Sequence, residues 1–376
     1  MSEEKAIAEI GPNTRLRPSP FYEATLAEGV TAFSPYNRML MPVSFGDPVA
    51  EYERLTQGVA LWDVGCERQV EITGPDAAKL VQVLCVRDLS QIKIGQGKYV
   101  AMCDHNGVLI NDPVVLKLAD ERYWISIADN NMLLWSRAIA AERGFDVEVF
   151  EPDVSPLALQ GPRAEDVVAA VFGEWIREIK FFWFADAQVE GIELKIQRSG
   201  YSKQGGFELY LMDGSRGTEF WNIMRKAGEP WGIGPGNPNP AERTEGGMLS
   251  FGGDTDDTTN PFEVRMEKYI DLDVDDDVIG VQALRRIKAQ GVKRRQLGLV
   301  LEDDDSRVGH AQWYDVFASL DGAARLGSMT CGAWSPRLDR IVGLALVNAD
   351  CEPGQQVWVE KQGQMQHARL SDLPIK

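Results

Sequence analysis

Two stretches of this chain spell out the same order of elements, and that repetition limits the folds open to it. Arg68-Gln-Val-Glu-Ile-Thr73 alternates as a strand, Gly74-Pro75-Asp76 turns, and Ala77–Leu84 continues with helical spacing. Leu157-Ala-Leu-Gln-Gly-Pro162 and the helical run Arg163–Phe172 then repeat strand, Gly-Pro turn and helix. Proline has no N–H to give a ladder, so each strand must end where the turn begins. The repeat is neither short nor reiterated, which argues for a duplicated α+β unit and against a solenoid.

With 376 residues the chain is long enough for two or three cores. The first twenty residues are polar and proline-punctuated, and read as an extended surface arm. Val59–Val64 reads as a buried strand. Lys98–Cys103 and Val108–Leu118 read as a hairpin about Asp104-His-Asn-Gly107, followed by the strand Tyr123–Ala128 and a helix from Asp129 to about Arg143. Phe181–Phe184, Ile192–Ile196 and Arg198–Leu211 complete the second unit, and a further helix is expected near Ala241–Phe251. After Gly291, short apolar runs at 297–301, 316–320, 326–331, 341–347 and 356–360 suggest a small antiparallel barrel-like domain. The expected organisation is two interleaved α+β units over 1–290, the second from about 152, and a β-barrel-like domain over 291–376.

Composition removes several classes of function. The net charge is −18, and the largest basic block is Lys293-Arg294-Arg295, so no nucleic-acid surface is expected. No apolar run is long enough to span a bilayer, and the N-terminus lacks a secretory pattern. Five scattered cysteines without a CxxC pair point to reduced thiols and a cytoplasmic setting. None of the three histidines has metal-ligand spacing, so no metal is expected.

Three places carry candidate chemistry. In Gly206-Phe-Glu-Leu-Tyr-Leu211, period-two alternation sets Phe207, Leu209 and Leu211 on one face and Glu208 with Tyr210 on the other. Glu208 is either a solvated strand residue or, beside Gly205-Gly206, a fixed acceptor in a pocket. Asn111-Asp112-Pro113 interrupts an apolar strand, and Pro113 requires a bulge or an edge there. A polar group at such a distortion is either a site residue or bonded to a turn. Cys103-Asp104-His105 reads as a hairpin turn rather than a thiol nucleophile.

The chain resembles the tetrahydrofolate-dependent aminomethyltransferases, the glycine cleavage T-protein family, and within it the dimethylsulfoniopropionate demethylase branch. The matching strings run in order: Leu61-Trp-Asp-Val64, Asn106-Gly-Val-Leu-Ile-Asn-Asp112, Leu159-Gln-Gly-Pro162, Arg198-Ser-Gly-Tyr-Ser-Lys-Gln-Gly-Gly-Phe-Glu208, Glu242-Arg-Thr-Glu245, Asn260-Pro-Phe-Glu263, and Ser335-Pro336 with Ile341-Val-Gly343. The resemblance implies a three-domain cloverleaf around a central folate pocket. It implies methyl transfer from a small donor to N5 of tetrahydrofolate, by a monomer or homodimer. On that likeness Asp112 and Tyr201 are catalytic, and Glu208, Asn111, Arg198, Tyr99 and Trp183 contact the folate. Tyr36, Arg38, Lys98, Lys203 and Phe207 are then expected to contact the donor. Lys98 and Arg38 stand where that branch has an aromatic residue and a histidine, and Tyr201 where it has tryptophan. If both cations face the pocket, they suit an anionic donor such as a methoxylated aromatic acid. A folate-binding protein without transferase activity is the remaining alternative.

Overall fold

The structure, a computed structural model, describes residues 13–304, 306–310 and 312–376; the first twelve residues of the expected arm lie outside the described residues. Each repeated motif builds a sheet that is covered by helices on one face only. The first sheet orders Glu148–Phe150, Gln69–Thr73, Arg122–Ser126, Val114–Ala119 and Gly97–Tyr99. Its Val70, Ile72, Tyr123, Ile125 and Val149 bury against the helices Ala77–Leu84 and Met132–Arg143. The second sheet orders Phe184–Val189, Ile192–Gln197, Gly206–Leu211, Ser155–Gln160, Ala60–Asp63 and Gly234–Gly236. Leu61, Leu157, Leu159, Ile196, Phe207, Leu209 and Leu211 bury under the helices Ala164–Phe172 and Gly217–Gly228. At ~1.5–3 kcal/mol for each large apolar side chain, this burial fixes which face of each strand looks inward.

Ala60–Asp63 precedes the first motif in the chain yet pairs with Ser155–Gln160 of the second. The two halves are therefore interleaved. The repeated glycines have a steric cause: Gly74 and Gly161 have φ +129° and +127°. A Cβ at these positions would come within 2.6 Å of the Asp146 carbonyl oxygen and 2.5 Å of that of Gly58. In both motifs the chain leaves its strand past another backbone segment, where no side chain fits.

The two faces left uncovered by helices meet each other. Trp124 lies 5.9 Å from Tyr210, with Leu116 and Val154 beside them. Buried Glu71 accepts from Trp124 Nε1 at 2.7 Å and pairs with Arg122. This seam positions the site described below.

The C-terminal barrel is closed by six strands in the order Arg294–Leu301, Arg340–Asn348, Arg325–Ser335, Tyr314–Phe317, Gln356–Lys361 and Gln364–Ser371. The last strand escapes sequence reading because Gln364-Met-Gln-His is too polar to announce it. Helix Val281–Gln290 is likewise unanticipated, although Val281, Ala283 and Leu284 bury. The helix expected near 241–251 is only Pro240–Glu245 and gives way at Gly246-Gly247. It docks the barrel through Glu245, which accepts from Tyr52 OH, Ser335 Oγ and Arg337 Nε. The hairpin strands both break: Gly97–Tyr99 pairs with Val114–Leu116 in the first sheet, while Met102–Cys103 pairs with Leu109–Asn111 in a separate ladder. Pro113 cannot donate to a ladder, and its carbonyl accepts from Val100 N across the gap.

Candidate active site

Strand alternation sends Phe207, Leu209 and Leu211 under the helices and turns Glu208 and Tyr210 into the seam. Glu208 Oε2 accepts from Ser199 Oγ at 2.6 Å and from Tyr210 OH at 3.1 Å. The same two hydroxyls also reach Oε1 of wholly buried Gln197. Oε1 of Glu208 accepts nothing among the described residues, which leaves it open to a ligand donor. Burial pushes the Glu208 carboxyl up, and the bonds from Ser199 and Tyr210 pull it back.

Asp112 sits at the strand break, where no ladder claims it. Its Oδ2 accepts from Tyr99 OH at 2.7 Å. Burial lifts the carboxyl to about 7 against the lowering effect of that bond. Asn111, its neighbour, points the other way. Its Nδ2 donates to the Ala128 carbonyl at 3.1 Å and its Oδ1 accepts from Ala128 N at 3.0 Å, in a wholly buried setting. That clasp uses both ends of the amide, so the expected folate contact at Asn111 gives way to a structural one.

A third carboxylate, not anticipated from sequence, joins them. Glu67 lies in the turn between Ala60–Asp63 and Gln69–Thr73, and its side chain has no hydrogen bond among the described residues. Burial raises its carboxyl well above the usual range, and the charges of Glu208 and Asp112 add to that. Tyr36 joins these carboxylates in one polar cluster at the seam, the chamber of the site: burial raises its hydroxyl, with further contributions from Glu67, Cys66, Asp112 and Tyr201. Asn37 Nδ2 donates to the Cys66 carbonyl at 3.0 Å and so holds these two turns together. Tyr201 packs against the buried cluster of Leu55, Ala60, Trp62, Val64 and Ala158, and its hydroxyl donates to the Leu249 carbonyl at 2.8 Å. Near it the wholly buried Asp254 pairs with Arg243 at 2.7 Å and accepts from Thr330 Oγ1 at 2.7 Å. Tyr269 sets its ring edge-on to Tyr99, with centroids 4.7 Å apart.

The expected cations are elsewhere. Arg38 is exposed at the tip of the turn joining Ala32–Tyr36 to Met39–Ser44, with φ +62°. Lys98 lies on the opposite strand face from Tyr99, where its charge acts on Asp88. Arg198 donates through Nε to the Ile179 carbonyl, pairs with Glu165 at 2.6 Å, and covers the Phe207 ring at 4.7 Å. Arg198 and Phe207 therefore belong to the helix-covered side, because residue 207 and Glu208 point to opposite faces. Lys203 is exposed and lies over Gly246. Trp183 is half-buried and bridges Gln96 where the two sheets adjoin.

The chamber thus brings three carboxylates together with Tyr36, Tyr99, Tyr201 and Tyr210. Cys103 is wholly buried with its thiol pushed up, and Asp104 accepts from the backbone of Asn106 and Val108, as a hairpin turn requires. Among the described residues, no group of His, Cys, Asp and Glu is arranged to hold a metal ion, and no helix is long and apolar enough to cross a membrane.

Residues 21–274 match the family model described as the GCVT N-terminal domain, and residues 294–375 match the glycine cleavage T-protein C-terminal barrel domain. The chain belongs to the glycine cleavage T-protein family. It is 39% identical to the dimethylsulfoniopropionate demethylase DmdA of Ruegeria pomeroyi over 355 residues, covering 94% of this chain and 96% of that protein. It is 30% identical to the aminomethyltransferase of a Thermoanaerobacter species, covering 82% and 83% of the two chains. The fold is that of the glycine cleavage system aminomethyltransferase T of Bartonella henselae, with a TM-score of 0.82, 22% identity and 95% and 97% of the chains covered. As a member of this family the chain is a transferase that uses tetrahydrofolate as its one-carbon acceptor.

Proposed function

We propose that this enzyme demethylates a small onium compound, dimethylsulfoniopropionate or a close analogue, and yields 5-methyltetrahydrofolate. One observation carries the choice of donor. The chamber holds three carboxylates and four tyrosines, and the cations that would have suited an anionic donor point elsewhere. A methylated cation on tyrosine faces gains ~0.5–2 kcal/mol for each ring. Glu67, without a side-chain hydrogen bond among the described residues, supplies the opposing charge once a cation beside it favours its ionised form. A methoxylated aromatic acid has no methylated cation to meet that charge or the tyrosine faces.

Tetrahydrofolate, when bound, supplies the nucleophilic N5 amine. Glu208 fits its pterin: the free Oε1, together with the second lone pair of Oε2, can accept a paired N–H edge while Ser199 and Tyr210 fix the carboxylate plane. Tyr36 and Tyr201 hold the donor so that its methyl carbon is in line, which is worth several kcal/mol at a separation of ~3–3.5 Å. The C–S bond breaks with its electron pair staying on sulfur, so a neutral thioether leaves without needing an acid. The N5 proton displaced by methylation passes to the Asp112 carboxylate, whose affinity for it is matched to neutral pH.

Incubation with tetrahydrofolate and a panel of a sulfonium acid, a betaine and a methoxybenzoate tests this. 5-Methyltetrahydrofolate should form with the sulfonium acid and not with the methoxybenzoate, and Glu67→Gln should raise the donor KM several-fold. Turnover of the methoxybenzoate alone, or tight folate binding with no turnover of any donor, would overturn it.

A further inference from the structure

We propose that Gln197 is a positioning residue for the pterin acceptor: when folate binds, its side-chain NH2 directs the Ser199 and Tyr210 hydroxyl protons onto Glu208. The proposal rests on Glu208 holding the pterin. Gln197 ends the strand Ile192–Gln197 and stands opposite Glu208 in the ladder. It is wholly buried, and its Oε1 lies 3.1 Å from Ser199 Oγ and 2.9 Å from Tyr210 OH. The same two hydroxyls lie 2.6 Å and 3.1 Å from Glu208 Oε2. The Nε2 of Gln197 is buried and has no hydrogen-bond partner among the described residues. Gly97 leaves that end of the amide its room, since a Cβ there would collide with Nε2.

Each hydroxyl has one proton, so it cannot serve Gln197 Oε1 and Glu208 Oε2 together. With Glu208 protonated, every hydroxyl proton finds an acceptor while the amide oxygen faces the two hydroxyls. The carboxyl donates to Ser199 Oγ, and both hydroxyls donate to Gln197 Oε1. With Glu208 ionised, as a two-donor pterin edge requires, that arrangement fails: each proton given to the amide oxygen is withheld from the charge. Turning the amide half a revolution exchanges two ends of nearly equal size, so no neighbour has to move. The NH2 then donates to both hydroxyl oxygens, and each hydroxyl gives its own proton to Glu208 Oε2. The amide oxygen comes to rest beside the Gly97 Cα, where an unpaired acceptor costs less than the unpaired donor it replaces. Ser126 imposes the same direction from the facing sheet: it accepts from Gln69 Nε2 at 3.0 Å and acts on Tyr210 as a donor. Folate binding thus releases the Glu208 proton to solvent and fixes both hydroxyls in one sense. The charged groups around this network are Glu67, on which Glu208 and Asp112 act, and the pairs Lys195–Asp186 and Arg122–Glu71 farther along the seam.

The test follows the tetrahydrofolate Kd against pH, by titration calorimetry, in the wild type, Gln197→Met and Glu208→Gln. Wild-type affinity should weaken about tenfold per pH unit once the pH falls below the Glu208 pKa, because one proton is then released on binding. Methionine is close in size but has no NH2. In Gln197→Met the pH at which affinity begins to fall should therefore rise by about one unit, with the two Kd values converging above it. A merely structural role would weaken binding equally at every pH and leave that point unmoved, and this result would overturn the proposal. Glu67 and Asp112 are unchanged in the variant and do not move the point. Should Gln197→Met not fold, Gln197→Glu keeps the shape and an acceptor without the NH2 and should shift the point in the same direction; an unmoved point there overturns the proposal as well. In a Glu208→Gln background, Gln197→Met should cost no more than about twofold in Kd. Glu208→Gln with an unchanged Kd would instead remove Glu208 as the pterin acceptor, and this role for Gln197 with it.

Discussion

Glu208→Gln separates binding from folding within one side chain. The substitution keeps the volume and leaves a single acceptor oxygen. Ser199 Oγ lies 2.6 Å from Oε2 and Tyr210 OH is within donating reach of it, so the amide carbonyl is drawn there and its NH2 group turns toward the ligand. A two-donor pterin edge then meets a donor where it had a carboxylate oxygen. Bonds to a charged acceptor are worth ~1.5–3 kcal/mol each, so the loss should be about 3 kcal/mol, or roughly a 150-fold rise in the tetrahydrofolate Kd. The apoprotein should respond in the opposite direction. The folded carboxyl of Glu208 is raised by burial, so its contribution to stability is present below the unfolded pKa and is lost as pH rises through the folded value. Above the unfolded pKa the raised carboxyl works against folding, and glutamine removes that burden. Titration calorimetry with tetrahydrofolate, alongside thermal melts at about pH 5 and pH 8, checks both halves. The variant should melt at or above the wild type at the higher pH, with the gap closing at the lower. A Kd within about threefold of wild type would refute the assignment, and a much lower melting temperature at the higher pH would refute the electrostatics.

The Asp112 carboxyl, lifted to about 7, should give kcat a limb that rises as pH passes through that value and then levels. Asp112→Asn should flatten the limb and lower kcat by about 10²-fold, and a limb that persists would assign the titration to another group. Asp254→Ala should leave Arg243 buried without its partner, at a cost of about 3–5 kcal/mol. A thermal melt unchanged from wild type would show that solvent or another acid reaches Arg243.

Much of this was visible in the sequence where a local rule applied. The duplicated strand, Gly-Pro turn and helix was legible because two backbone crossings forbid a Cβ at Gly74 and Gly161. The break at Asp112-Pro113 was legible from the missing N–H. Alternation placed Glu208 with Tyr210, and the same rule applied strictly excludes Phe207 beside Glu208 and Lys98 beside Tyr99 from the chamber. The family likeness had suggested these two as donor contacts. Long-range pairing hid the rest. No spacing tells that Asn111 clasps Ala128, that Arg198 reaches the loop at Ile179, or that Ala60–Asp63 joins the second sheet. Glu67 carries no local signal at all, because only the meeting of the two sheets brings it beside Glu208 and Asp112.

Glu67, Asp112 and Glu208 all have carboxyls raised by burial, which is a cost that folding alone does not repay. Amides in their places would relieve it, so the acids persist only if a ligand answers them. The N–H edge of a pterin answers Glu208, and a methylated cation beside that head favours the ionised form of Glu67. The charge of Glu208 is one of the causes that raise Glu67. A pterin that disperses the charge on Glu208 therefore eases the ionisation of Glu67, and the folate and the methyl donor bind cooperatively.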